Sequence, residues 1–309
     1  MRPPGARPDT ESIMPKYAWY PARRLNRIAG PLVAAGLVIA VCAGASNAAR
    51  AQDLRIYTRL YETRRPAEIS ADSAPPAKPA MIGHSLSLFH AGKVYDYIDN
   101  VGEVTIFEPA QRRFAILNAA RMMGALVAFD ALEVELYGLE KRSEARLQMA
   151  VSQGDVTAAK IAAARFQLHP SFSEQVDARQ KRIHLASQHL TYDVQYATDQ
   201  SAEIIEAYVR YANWTARLNS LLTPPLKPPA PRLALNAIFQ KHHALPLTVE
   251  LQTAGGETVL RAEHQYTWKL EPGDRRMISE WEDLRSNRKI QWVSFHDFRR
   301  VQVATQTRK

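Results

Sequence analysis

The sequence predicts an α+β fold built on an antiparallel sheet. Three observations predict it. Residues 84–117 alternate in period two and are broken by tight turns, as short antiparallel strands do. The segment order along the chain is strands, helices, strand, helices, strands, which gathers helices against a sheet instead of alternating βαβ units. Between Leu245 and Leu270 two β-rich runs flank Ala254-Gly255-Gly256-Glu257, a hairpin signal.

The N-terminus is set apart from this fold. Arg23, Arg24 and Arg27 precede Ile28–Ala43, an uncharged run of 16 residues, and Ala49-Arg50-Ala51 supplies a small-x-small cleavage pattern. Residues 1–51 are therefore expected to be a signal peptide cleaved after Ala51, giving a periplasmic or secreted protein, with 52–309 as one domain. The alternative is an inner-membrane anchor formed by Ile28–Ala43, but this run is shorter than the ~20 residues a spanning helix usually needs. Cys42 is the only cysteine, and Val41 stands before it where a lipidation site wants a small residue. A mature chain without cysteine uses no disulfide framework, and a chain of this length does not need one. The whole chain carries a net +9, yet residues 52–309 hold 33 Lys+Arg against 29 Asp+Glu, or +4. Nucleic-acid binding loses its electrostatic support, because no dense basic stripe remains.

In the domain, Leu54–Glu62 alternates and reads as the first strand. Residues 66–80 contain four prolines and read as an extended connection or long hairpin loop. Strands then follow on either side of Ala91-Gly92, Asn100–Gly102 and Glu108-Pro109. Tyr95, Tyr97 and Phe107 are placed on one face; Leu86, Leu88, Ile98 and Ile106 are placed on the other. Both faces are then covered, one by helices and one by something else. From Asn118 the steps Met122, Leu126, Phe129, Leu132, Leu136 and Leu139 predict a long helix. A second helix spans Val156–Phe166, and the helical insertion covers about 118–180. Arg182–Tyr196 reads as one long strand or a strand pair. Thr198–Leu222 reads as a helix, stopped by five prolines between Pro224 and Pro231. Pro231 suits the first turn of a helix over Arg232–His243. After the Leu245–Thr253/Thr258–Leu270 hairpin, Met277–Leu284 and Ile290–Val303 read as a second one, turning at Ser286–Lys289.

Catalytic signatures are missing from the sequence. It has no G-x-S-x-G and no H-E-x-x-H, and Gly255-Gly256 is not followed by a phosphate-loop helix. The acid pairs Glu133/Glu135 and Glu280/Asp283 are of a kind that surfaces routinely carry. His184 and His189 fall on opposite strand faces, and His242-His243 sits at a helix end, where histidine suits the last carbonyls. No cofactor is expected. A hydrolase would need a His and an acid to converge, with His84 or His90 and Asp96 the first pair to test. The stronger signal is aromatic. Tyr95, Tyr97, Phe107, Tyr266, Trp268, Trp281 and Trp292, with Phe295 and Phe298, all fall on expected strands, and the first seven are the candidate ligand-binding residues. They either line an apolar hollow or fill a sheet–helix core.

Three segments, Leu86–Tyr97, Glu103–Leu117 and Leu245–Leu270, resemble the outer-membrane lipoprotein carrier superfamily, the LolA/LolB-like half-barrels. The likeness lies in a strand, turn and strand around Ala91-Gly92, a Glu-Pro turn before the Arg-Arg-Phe return strand, and a Leu-Pro-Leu strand running into a glycine turn. The resemblance implies a curved antiparallel sheet over an apolar hollow with helices on one face as a lid. It implies a non-enzymatic envelope protein whose partner is a hydrophobic ligand, a lipid or the acyl chain of a lipoprotein. Glu108 stands where the family usually has a basic residue, and no functional residue is carried over. From a different class, an exported scaffold would hold a partner through an exposed sheet edge or the proline loops.

Overall fold

The computed structural model describes residues 53–64, 79–99, 102–154, 156–222, 226–253 and 258–306. The 1–51 segment, most of the proline-rich 66–80 stretch, Asn100 and the Gly255-Gly256 turn lie outside the described residues. The fold is mixed α+β. A large, unclosed sheet of 12 strands runs β12-β6-β5-β4-β3-β2-β1-β11-β10-β9-β8-β7, antiparallel at every pairing but β12–β6.

The first six strands form a meander: β1 (Leu54–Arg64), β2 (Ala80–His90), β3 (Lys93–Ile98), β4 (Glu103–Glu108), β5 (Arg113–Asn118) and β6 (Met123–Ala128). Ala91 and Gly92 both have positive φ, at 49° and 75°, the two-residue turn whose twist matches that of hairpin strands. One-turn 3-10 segments, Pro109–Gln111 and Ala119–Arg121, make the β4–β5 and β5–β6 turns, each closed by a left-handed residue, Arg112 or Met122. Helices α1 (Phe129–Gln153) and α2 (Ala158–Leu168) follow, then β7 (Ser173–Asp177), β8 (Arg182–Ala186) and β9 (Leu190–Ala197), α3 (Ala202–Leu222) and α4 (Ala230–Lys241). The hairpin β10 (Leu245–Thr253) and β11 (Thr258–Thr267) places β11 against β1, joining the two halves of the sheet. Helix α5 (Pro272–Ser286), the two-residue β12 (Gln291–Trp292) and α6 (Phe295–Gln306) end the described chain. No described helix is long and apolar enough to cross a membrane.

Three expectations are corrected here. The helix expected from Asn118 begins at Phe129, because Met123–Ala128 pairs with β5 as a sixth strand. Its turn puts Met122, not glycine or asparagine, in the left-handed conformation, so the strand carries no turn signature. A further short strand, β7, precedes the expected β8–β9 pair. The second C-terminal hairpin is replaced by two helices. Met277, Ile278, Trp281 and Leu284 recur at helical spacing, Pro272 starts α5, and the Asp274 carboxylate accepts the Glu271 backbone N–H at 2.9 Å.

The face allocation also changes. Directly paired residues share a face, and the register pairs Leu88 with Tyr95, Leu86 with Tyr97, and Tyr95 with Ile106. Tyr95 and Tyr97 therefore lie with Leu86, Leu88 and Ile106. Phe107, paired with Val94, lies on the opposite face, as does Ile98 by parity. Helices cover both faces, not one. The larger core packs α1, α3, α4 and α6 on the face that includes Ile56, Phe89, Phe107, Phe114, Ile116 and Val194. The smaller core packs α5, through Met277, Ile278, Trp281 and Leu284, against Leu88, Tyr95, Val104, Ile106 and Leu117.

An ion cluster fastens α5. Glu108 is buried, and Arg285 donates to both its oxygens at 2.6 and 3.0 Å. Arg113 donates at 2.9 Å, and Lys93 lies 3.3 Å away. Lys93 and the Tyr95 hydroxyl also donate to Glu282 at 2.7 and 2.6 Å.

Buried Glu103 behaves differently. Desolvation raises its pKa to about 7, with Arg121 opposing, and Gln302 of α6 is 3.3 Å away. An acid whose folded pKa is raised contributes stability that is full below about 4.5 and is lost as pH climbs to about 7. That rise corresponds to about 3 kcal/mol. Glu103→Gln is thus expected to match the wild type at pH 4.5 and to be more stable at pH 8 by up to about 3 kcal/mol. Urea unfolding at the two pH values measures it. A difference independent of pH would overturn the assignment.

Candidate functional site

Between the larger sheet face and α3 lies a cavity of about 430 Å³. Its floor is two neighbouring rows of that face. One row runs across Ile56, Ser87 and Asp96; the next runs across His264, Thr58 and Ser85. Its roof is one side of α3, with Tyr208, Tyr211, Ala212, Thr215, Ala216 and Asn219 recurring three and four residues apart. Pro229 and Arg232 close it from the start of α4. The cavity follows from side-chain volume. Elsewhere Phe89, Phe107, Ile116 and Leu218 fill the sheet–helix gap, whereas here serines and a threonine face alanines. A close-packed interior opens where both facing residues are small.

Many of the polar lining atoms pair with one another. The Ser87 hydroxyl donates to Asp96 Oδ1 at 2.7 Å and lies 3.4 Å from the Tyr211 hydroxyl. Thr58 Oγ1 and His264 Nδ1 are 2.9 Å apart, and the Ser220 hydroxyl donates to the Ala216 carbonyl at 2.7 Å. Asp96 is half-buried in the cavity lining, and burial raises its pKa despite the Ser87 and Tyr211 hydrogen bonds. The Tyr211 hydroxyl is pushed well up, by burial first and then by Asp96. Burial, aided by Arg232, lowers His264 to about 4, which leaves it neutral at pH 7. What faces the cavity is then largely carbon, with a neutral imidazole and one guanidinium on the β11 side and a carboxyl on the β3 side.

Ser87 donates to a carboxyl, not to an imidazole, while His264 is tied to Thr58 on the other side of the floor. His84 lies 3.5 Å from Asp99, and His90 lies 2.8 Å from Asp53. Both histidines face away from Asp96, on the α5 side of the sheet, so neither pair first proposed for a hydrolase forms. The His242 ring meets Glu174 of β7 at 2.6 Å, not the last helix carbonyls. Among the described residues no cluster of His, Cys, Asp and Glu could hold a metal.

None of the seven aromatic candidates lines this cavity. Tyr95, Tyr97 and Trp281 stack together on the opposite face, with Trp281 on a helix. Phe107 sits in the main core against Phe114 and Phe129. Tyr266 lies behind the cavity: its hydroxyl donates to the Pro246 carbonyl at 2.6 Å, and its ring stacks on Trp268 at 6.0 Å. Trp268 lies past the end of β11. It and Trp292 are exposed, and Trp292 lies over Gly124, where a Cβ would come within 2.9 Å of its ring. Phe295 and Phe298 are on α6, not on a strand. Of the cavity residues, the sequence names Asp96 only as the acid of a hydrolase pair, and Ser87, Tyr208, Tyr211, Arg232 and His264 are not singled out as site residues. A signal for Asp96 was present: between Tyr95 and Tyr97 it points opposite to them, into the larger core. No protein-family model matches the chain, and no curated protein matches it either.

Proposed function

We propose that the protein is an exported, non-enzymatic binding protein of the half-barrel kind, which holds a small ligand with an apolar body between the sheet and α3. The cavity carries this reading. Its volume of about 430 Å³ falls within the roughly 300–1,000 Å³ of ligand sites, and a mostly carbon wall with a few placed polar groups is their usual composition. The basic Arg23–Arg27 cluster, the apolar Ile28–Ala43 run and the Ala49-Arg50-Ala51 pattern support export to the periplasm or beyond; without cleavage the same apolar run would anchor the chain at the inner membrane.

Native mass spectrometry of protein purified from its own envelope, with organic extraction, tests this. The expected result is a co-purifying lipid or acyl mass in the wild type. Ala216→Trp, which fills the cavity from its roof, should reduce that occupancy at least tenfold while the far-UV dichroism stays unchanged. Equal occupancy in the two proteins would sink the cavity reading, as would a wild type with no bound mass and no fatty-acid uptake. The scaffold reading rests on α1, where Val134, Tyr137 and Met149 are exposed; it gains if the protein is empty and self-associates.

A further inference from the structure

We propose that the ligand of this cavity is an amphiphilic organic anion, whose carboxylate or phosphate pairs with Arg232 while its apolar body lies along α3 towards Asp96. The inference rests on reading the cavity as a ligand site, and it names the ligand's chemistry.

The observation behind it is an unbalanced charge. Several half-buried cations of this fold close on carboxylates: Arg55 on Asp274, Arg113 and Arg285 on Glu108, and Arg299 on Glu135; Arg217 instead donates to the Asn213 carbonyl and lies over the Trp214 ring. Arg232 lines the cavity, half-buried, and among the described residues no carboxylate pairs with it. Its neighbours are the Tyr208 hydroxyl, which bonds to it, and the neutral His264. Nor does local structure explain it. Arg232 lies in the first turn of α4, where the helix dipole disfavours a cation, and no acidic residue stands in that turn. A locally unfavourable charge kept beside a cavity marks a functional position.

The rest of the cavity suits such a ligand. Guanidinium offers several N–H groups in one plane, matched to carboxylate and phosphate oxygens. Tyr208 adds a hydroxyl beside it. The acid of the lining, Asp96, lies on β3, three strand spacings from His264 on β11, or about 14 Å across the sheet. Burial raises its pKa, and at that distance it stands apart from a headgroup held at Arg232. Ala212 and Ala216 line the roof between the two sides and give an alkyl chain a smooth wall.

Calorimetric titration of the full chain with octanoate, octyl phosphate and 1-octanol tests the proposal, alongside Arg232→Gln and Arg232→Lys. At least one of the two anions should bind 10- to 100-fold more tightly than the alcohol, the range of one charge-assisted contact. Arg232→Gln should remove that advantage and bring the anion down to the affinity of the alcohol; Arg232→Lys should keep part of it. Preference for octanoate assigns a free carboxylic acid, and preference for octyl phosphate assigns a phosphate-headed lipid. Alcohol binding equal to anion binding, or full anion affinity in Arg232→Gln, would overturn the anion assignment while leaving the cavity a ligand site. Failure of all three probes on the wild type would also overturn it, and the Ala216→Trp comparison, which follows whatever mass co-purifies, judges the cavity separately. Thermal unfolding of each variant confirms that the fold is kept.

Discussion

Glu108→Ala is expected to destabilise the protein by roughly 3–5 kcal/mol and to free α5 from the sheet first. The side chain of Glu108 is 1% exposed and is surrounded by Arg285, Arg113 and Lys93. Burial alone would raise its pKa, but the hydrogen bonds from Arg285, Arg113 and Lys93 outweigh burial and hold the carboxyl below its usual range. Removing it leaves three cations around a desolvated hole, and Arg285, the α5 residue among them, loses both of its short bonds. The remaining polar contacts of α5, Lys93 and Tyr95 to Glu282, Arg55 to Asp274, and Arg275 to Asp53, are more exposed and individually weaker. Hydrogen exchange should therefore show residues 272–286 losing protection before the strands do, and the urea midpoint should fall. The lowered pKa sets the acid behaviour: this stabilisation is present above pH 4.5 and is lost as pH falls through the folded value. A loss under 1 kcal/mol, or uniform loss of protection, would contradict the account.

Phe129→Ala should cost about as much, roughly 3–5 kcal/mol, for a different reason. Phe129 opens α1 at the end of the meander and is 3% exposed. Its ring stacks on Trp214 of α3 at 3.7 Å between centroids, and it meets Phe107 and Phe114 of the sheet at 5.6 and 5.5 Å. It therefore joins three elements in one aromatic cluster, and truncation leaves a void that none of the three can close alone. Phe129→Leu, which restores most of the volume, should recover more than half of the loss. Chemical denaturation of the pair decides it. Equal losses in both variants would mean that ring geometry, not volume, governs the site.

The elements legible in the sequence were those specified by their own neighbours. The run of β1 to β5, the β10–β11 hairpin, α3 and α4 all follow from alternation, helical spacing, and glycine or proline at their ends. The expected hairpin strand Leu245–Thr253 coincides with β10. Where a local signal was weak, the expectation went astray. The strand β6 is Met-Gly-Ala-Leu-Val-Ala behind a left-handed methionine, and its apolar spacing continues into α1, so the two looked like one helix. In α5 and α6, aromatic and charged residues were read as alternating, although Met277, Ile278, Trp281 and Leu284 also fit a helix.

By itself, the sequence determined an antiparallel sheet with helices, because period and turn chemistry act within a few residues. Only the tertiary structure decided which face each aromatic joined, that α5 covers the second face, and where the cavity lies. The physical reason is distance along the chain. The cavity exists because small residues of β1, β2 and α3 meet, and Ser87 and Tyr211 stand 124 residues apart. Charge balance at Arg232 is likewise set by which carboxylates come near it in space. An arginine two residues into a helix reads as ordinary until the fold shows that no described acid reaches it.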